Sequence, residues 1–414
     1  MALTKLDQVW VRATTASSSS PTTSTHPLTC AGAGALLPLA LPLPLPPRVL
    51  KMASPSLYCV VQEGNKAEKH LRHINTGWSP LWQFRITGVD EVLGYMRNST
   101  RKAMVWDEDD FLMDNEKRVI TMIPRPKNGE TPAKACQRAF SDLCLKNRGR
   151  LNNCFDRWLD KPAHRRDFHP IHNTQADWQD LSMPVPARGV FGIVTIGVHL
   201  TTYSVRKVDG HEVVDRIWVS QRARGENVTY SGMLDQVVAG GMDPMDFIDG
   251  RLAPGETLRR EAMEEAGLLL DLGTKVMFSM TGSGRRKPIG KVERAPAITF
   301  YDCKGRDAGR TSEGHLEPGV RFVYDLKLDD STFQPKSHES GSERFMSLPI
   351  DDVKKTLREK RWKPNCGLVM LDFLQRKGLI TKADEENYAL IEKELHNPLP
   401  FKFSHDRYPF LAPW

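Results

Sequence analysis

Nine residues constrain this chain more than any others: Arg260-Glu261-Ala262-Met263-Glu264-Glu265-Ala266-Gly267-Leu268. They bring three carboxylates, an arginine and a glycine together. On a helix, residues three and four apart share a face, so Glu261, Glu264 and Glu265 point the same way. Crowded carboxylates repel unless a cation sits among them. A hard divalent cation suits oxygen ligands, and Mg2+ typically combines a few carboxylates with water and substrate phosphates. The competing reading is an acidic, solvated helix face. Upstream, Val238-Ala239-Gly240-Gly241 runs a hydrophobic strand end into a double glycine.

The stretch R-E-x-x-E-E-x-G-L resembles the second half of the Nudix box, G-x5-E-x7-R-E-U-x-E-E-x-G-U with U aliphatic. The spacing departs from that pattern. Counted from Gly250, three residues separate Glu256 from Arg260 where the box has seven. Counted from Gly241, the span to Gly267 is five residues too long. The second count puts the extra length in a loop, where it costs little, and ties Glu256 only weakly to the box glutamate. Thr229-Tyr230-Ser231-Gly232-Met233-Leu234-Asp235, Lys363 to Leu374 and Leu399-Pro400-Phe401 are similar to one subfamily, the thiamine-pyrophosphokinase-related Nudix hydrolases of fungi and plants. Ser231 stands where that subfamily has proline. The resemblance covers roughly residues 57–403.

The resemblance implies an α/β fold: a Nudix α/β/α sandwich with a mixed sheet, preceded by a small α+β domain and a disordered N-terminal segment. It assigns Mg2+ (or Mn2+) binding to Glu261, Glu264 and Glu265. It gives Gly241, Arg260 and Gly267 structural roles in the box, Arg260 by ion-pairing within it. Such enzymes cleave a diphosphate linked to another moiety. The metal neutralises phosphate oxygens and lowers the pKa of bound water, and a general base takes the water's proton. Glu264 and Glu265 are catalytic candidates on the helix. Glu343, with Glu339 as an approximate alternative, is the candidate on a later loop. Arg222 and Arg224 are candidates for contacting substrate phosphates, and Tyr230 for stacking on a substrate ring. His199, inside an apolar strand, reads as a satisfied core or edge histidine.

By resemblance the substrate is thiamine diphosphate or its oxidised or damaged analogues, giving the monophosphate and phosphate. Alternatives are an 8-oxo-dGDP-type nucleoside diphosphatase and a Nudix-fold binding or sensor protein that lost catalysis. A true kinase would need an ATP site, and no G-x-x-x-x-G-K-[ST] loop is present.

The 414 residues suffice for two domains and an ample core. A net charge of +7 is modest at this length, with no dense basic run interleaved with aromatics, so nucleic-acid binding is not indicated. Seven scattered cysteines without C-x-x-C argue for reduced thiols in an intracellular compartment and against zinc. No apolar run reaches the length of a membrane span.

Residues 1–56 are rich in Ser, Thr and Pro, with Asp7 as their only acid. They read as disordered. They resemble an organelle transit peptide, or translation begins at Met52. The protein is then cytoplasmic, or mitochondrial if residues 1–51 are a leader. Residues 57–185 read as the small α+β domain, 186–403 as the Nudix domain and 404–414 as a tail. In the first, Trp82 to Thr87, Ala103 to Trp106 and Arg118 to Ile123 read as strands and Asp90 to Met96 as a short helix. Thr131-Pro132 opens a helix that carries Cys136, Phe140, Leu143 and Cys144 on one face. In the second, Gly189 to Tyr203 reads as a long strand and Asp209-Gly210 as a hairpin turn. Thr257 is the expected N-cap of the box helix, and Gly267 its left-handed stop. Ala297 to Tyr301 and Arg321 to Leu326 read as strands, and Ile350 to Lys360, Asn365 to Arg376 and Ala383 to His396 as helices.

Overall fold

The computed structural model describes residues 55–67, 80–172, 178, 180–226, 228–248, 251–282, 284–336 and 344–401. All belong to one compact unit spanning 54–414. Residues 1–54 of the expected disordered segment, the 404–414 tail, Gly250, Glu339 and Glu343 lie outside the described residues, while Ser56 is held by Glu385 and Asn387.

The first elements are α1 (Tyr58–Gly64), β1 (Leu81–Ile86), β2 (Gly94–Arg97), α2 (Asn98–Ala103), β3 (Phe111–Asp114), β4 (Val119–Met122), α3 (Pro132–Lys146), α4 (Asp156–Leu159), β5 (Phe168–Pro170), β6 (Ser182–Pro184) and α5 (Ala187–Phe191). A four-stranded sheet in the order β2-β1-β4-β3 carries α3, whose Ala133, Cys136, Phe140 and Cys144 join its core. Thr131 caps α3 as expected, accepting the Lys134 N–H at 3.2 Å. Two expectations fail here. Residues 94–97 are a strand rather than the end of a helix, because Gly94 to Arg97 pair with Phe84 to Leu81. Ala103 to Trp106 is no strand, since the Asn147 side chain takes both the Val105 N–H and its carbonyl.

The larger sheet is built on β7 (Thr195–Val208) and β8 (His211–Gln221), joined at Asp209-Gly210, both at positive φ. Then follow β9 (Leu234–Asp235), β10 (Val238–Gly241), β11 (Phe247–Ile248), β12 (Arg251–Leu252), α6 (Pro254–Ala266), β13 (Leu268–Asp271), β14 (Val276–Met280), β15 (Arg286–Arg294), β16 (Ile298–Cys303), β17 (Leu316–Lys327), β18 (Arg344–Pro349), α7 (Ile350–Arg358), α8 (Pro364–Arg376) and α9 (Tyr388–Glu394). The strand order is β13-β14-β15-β17-β7-β8-β18, with β10 on β7, β16 on β17 and β9 on β8. The β7–β17 pair is parallel and the others antiparallel, so the sheet is mixed.

Side chains alternate across a strand, and here that alternation separates two layers. Ile196, Val198 and Leu200 of β7, with Val320, Phe322 and Tyr324 of β17, pack against Leu258, Ala262 and Ala266 of α6. Tyr203 and Val323 face the other way, into a core shared with α1, α7, α8 and α9. The architecture is an α/β/α sandwich. Helix α1 precedes the four-stranded sheet in sequence, yet its Val60 and Val61 pack in this second core. The expected strand from Gly189 starts only at Thr195, because Gly192 takes φ 59 and closes α5 first. The last helix is also shorter than expected, Tyr388–Glu394. Among the described residues no helix is long and apolar enough to cross a membrane.

Candidate active site

Helix α6 starts at Pro254, not after Thr257. Proline at the first helical position lacks only an N–H that would have no intrahelical partner, so the helix begins four residues earlier than a cap at Thr257 requires. Thr257 is inside it, fully buried, with its hydroxyl oxygen unpaired. Leu258, Ala262 and Ala266 recur every four residues and anchor α6 to the sheet. Gly267 ends the helix at φ 60 and donates its N–H to Ala262 and Met263, as its position predicted.

That anchoring sets Glu261 against the double glycine. A Cβ on Gly240 would lie 1.8 Å from Glu261 Cδ, so only glycine admits the carboxylate. Gly241 pairs with Gly197 of β7. Glu265 Oε2 accepts the Ala239 N–H at 2.8 Å. Glu264 reaches solvent, its side chain 52% exposed. Arg260 binds this group together. Its Nη1 donates to Glu261 at 2.8 Å and Glu264 at 3.2 Å, and its Nη2 to the Gly241 carbonyl at 3.0 Å. Burial raises the Glu261 carboxyl above its ordinary range against the pull of Arg260.

The carboxylate holding Arg260 from behind is Asp246, at 2.8 Å from Nη2 and 3.3 Å from Nε. Glu256 does not take that place; it pairs with Arg259 on the same helix. Asp246 sits in the overlong loop after Gly241. An acid between the Gly-Gly turn and the helix was visible in the sequence, but with extra residues present spacing cannot separate Asp246 from Asp243.

The remaining candidates stand elsewhere. Arg222 donates to the Thr229 carbonyl at 3.0 Å and lies 3.5 Å from Asp235. Arg224 packs over Gly232. Tyr230 is buried at φ 53 and donates its N–H to the Asp307 carbonyl. Burial raises its phenol far above the ordinary value.

Asp235 centres a second polar group on the α8 side of the sheet. Its Oδ1 lies 2.7 Å from Cys366 Sγ and accepts the Gln236 N–H, and Lys363 stands 3.3 Å from Oδ2. Burial pushes the Asp235 carboxyl up, but Lys363, the Cys366 thiol and Arg222 outweigh it and hold it below its ordinary range. His199 is buried, pairs with Gln236 at 2.8 Å, and is held neutral by burial with a pKa of about 3. Among the described residues, His199, Asp235 and Cys366 are the trio whose ligand atoms all lie within 4.8 Å of one another. Lys363 and Arg222 already neutralise the aspartate there, and burial raises the Cys366 thiol well above its usual value. A cation would meet two positive charges. The trio is a satisfied buried network, in keeping with the core reading of His199.

No family model matches the chain. It is 31% identical over 214 residues to an uncharacterized protein, YJR142W, of Saccharomyces cerevisiae, covering 51% of this chain and 56% of that one. It is 29% identical over 241 residues to Nudix hydrolase 20, chloroplastic, of Arabidopsis thaliana, covering 57% of this chain and 53% of the other. The chain thus spans about half the length of the curated relatives it matches. Among solved structures it aligns with a Caenorhabditis elegans Ap4A hydrolase at 13% identity and a TM-score of 0.25, over 44% of this chain and 96% of that one. A second Arabidopsis thaliana relative, Nudix hydrolase 24, chloroplastic, is 27% identical over 237 residues, covering 57% of this chain and 54% of the other.

Proposed function

We propose that this chain is a divalent-metal-dependent hydrolase of a small organic diphosphate. The observation that carries the reading is Arg260, Glu261, Glu264 and Glu265 gathered at Gly240-Gly241, with Asp246 tying Arg260 in place. The donors suit a hard cation: they are carboxylate oxygens, and Gly240 leaves the space where Glu261 lies. Glu261, Glu264 and Glu265 would hold Mg2+ or Mn2+. When bound, such an ion neutralises phosphate oxygens and lowers the pKa of bound water.

The side chains supply the rest. Arg260 holds Glu261 and Glu264 at fixed separation, which lowers the reorganisation needed at the moment of reaction. Glu265, oriented through Oε2 by Ala239, takes the proton of the attacking water at Oε1. Glu343 is the alternative base. The subfamily resemblance of Tyr230 to Asp235 and Lys363 to Leu374 favours thiamine diphosphate or its oxidised or damaged analogues as substrate. The same reading places the protein inside the cell, in the cytoplasm or, with residues 1–51 as a leader, in mitochondria.

The test is phosphate release by the purified full chain with Mg2+ and, in parallel, thiamine diphosphate, oxo-thiamine diphosphate and 8-oxo-dGDP. Release from the thiamine compounds supports the reading, and preference for 8-oxo-dGDP replaces the substrate. Binding without release from any of them means a sensor. Glu264→Gln combined with Glu265→Gln should lower turnover by about 10^3-fold or more with the fold intact. Full activity in that double variant would sink the metal assignment.

A further inference from the structure

We propose that the cleft between residues 153–189 and the loop 304–315 binds a phosphate-type oxyanion of a small metabolite. Arg188 and His315 are its inner contacts, with Arg157 and Arg310 at its mouth. Five cationic side chains, Arg157, Lys161, Arg188, Lys304 and Arg310, line it, against two carboxylates, Asp167 and Glu226. The cleft goes beyond the hydrolase reading, because binding there needs no turnover. It also supplies a use for the layer that precedes the sandwich, since both sides contribute walls.

The construction of the cleft is specific. The loop is clipped at its base by Lys304 N–H to the His315 carbonyl at 2.9 Å and Gly314 N–H to the Lys304 carbonyl at 2.8 Å. Asn152 ties its far end by donating to the Arg310 carbonyl at 3.3 Å. A Cβ on Gly189 would lie 2.8 Å from His315 Cβ, so glycine on α5 lets the imidazole pack against the helix that carries Arg188.

The charges are not spent equally. Lys161 is paired with Asp167, and Lys304 with Glu317 at 3.2 Å. Glu317 in turn reaches Arg321 at 3.6 Å, and Arg321 donates to the Thr195 carbonyl at 3.0 Å. Among the described residues, Arg157, Arg188 and Arg310 make no side-chain hydrogen bond or ion pair, and neither does the imidazole of His315. His315 is only 9% exposed, so its imidazole lies along the inner wall of the cleft with no partner among the described residues for its ring nitrogens. An oxyanion in the cleft would satisfy both the ring N–H and the Arg188 guanidinium. Arginine presents a planar fork that matches phosphate oxygens. The chain Lys304–Glu317–Arg321 ends beside Gly197, where the Arg321 Cδ lies 3.5 Å from an added Cβ, next to the Gly240 carbonyl at 2.5 Å. The cleft and the double glycine therefore belong to the same end of the sheet.

Calorimetric titration of the full chain with inorganic pyrophosphate, without divalent cation, tests the proposal. Wild type should bind saturably, with inorganic phosphate competing. Arg188→Ala should weaken binding by about 10-fold or more, and Arg188→Lys should recover part of it. Arg157→Ala with Arg310→Ala, both exposed, should weaken it several-fold and carries the test should Arg188→Ala unfold. Lys134→Ala, on α3, should change nothing. The Glu264→Gln/Glu265→Gln variant should bind as wild type does, which separates this site from the proposed catalytic one. Where turnover is measurable, a raised KM with unchanged kcat in Arg188→Ala identifies the anion as the substrate's own. Unchanged KM with lost pyrophosphate binding identifies a separate ligand. No saturable binding, or equal affinity in wild type and all the arginine variants, overturns the proposal.

Discussion

Helix α6 and the Asp235 network put comparable numbers of charged groups on opposite sides of the same strands, but they are assembled differently. The carboxylates of α6 come from five successive residues of one helix, joined by Arg260 immediately before them. The Asp235 network draws His199 from β7, Arg222 from just after the end of β8, and Lys363 and Cys366 from the start of α8. The first faces solvent through Glu264 and keeps an excess of negative charge. The second is closed and neutralised. An exposed, uncompensated cluster is suited to take a ligand; a buried, satisfied one holds α8 against the sheet.

Substitutions can break or sharpen that contrast. The largest stability loss should follow Asp235→Ala, which leaves Lys363 and the Gln236 N–H without their partner. About 3–5 kcal/mol is expected in urea unfolding. A loss under about 1 kcal/mol would mean that the network is not structural.

Asp302 on β16 offers the complementary case, a buried carboxylate on the same assembled side whose Oδ1 lacks a hydrogen bond and lies 3.8 Å from Lys66. Burial raises its pKa from 3.8 to about 7, against Lys66. The folded state thus holds this proton more tightly than the unfolded chain. Its contribution is present below about pH 4 and is lost as pH rises through 7. Asp302→Asn should therefore gain on wild type between pH 4.5 and 8, by roughly 3 kcal/mol. Parallel melting curves with a constant difference across that range would refute it.

On the local side, Arg260→Ala removes the partner of Asp246, whose side chain is only 7% exposed, at a cost of about 2–3 kcal/mol. Asp246→Asn should reproduce part of that loss, whereas Glu256→Gln should not, because Glu256 binds Arg259. The smallest stability effect is expected for Gly240→Ala, about 1–3 kcal/mol from overpacking. Its effect on phosphate release should be larger, because Glu261 must leave its place. Unchanged release in Gly240→Ala would show that the Glu261 position is unimportant to turnover.

Much of this was legible in the chain. The period of Glu261 to Gly267, the hairpin at Asp209-Gly210 and the Thr131-Pro132 start are written in short spacings, and each appears where those spacings put it. The expected Thr257 cap and the helix at 90–96 failed for opposite reasons. Pro254 started α6 earlier by its own local preference, while Gly94 to Arg97 were drawn into a strand by a partner ten to sixteen residues away. The meander of β13, β14 and β15 was missed in the sequence: β13 and β14 are mostly apolar runs of only four and five residues, and β15 is largely polar and exposed.

Sequence alone determined the carboxylate face of α6, its glycine stop and the double glycine ahead of it, because helical periodicity and left-handed backbone act over a few residues. Tertiary structure decided which acid grips Arg260, where Arg222 and Tyr230 point, and that Arg188 and His315 face one cleft. Those outcomes depend on contacts between segments tens to hundreds of residues apart, which no local spacing encodes.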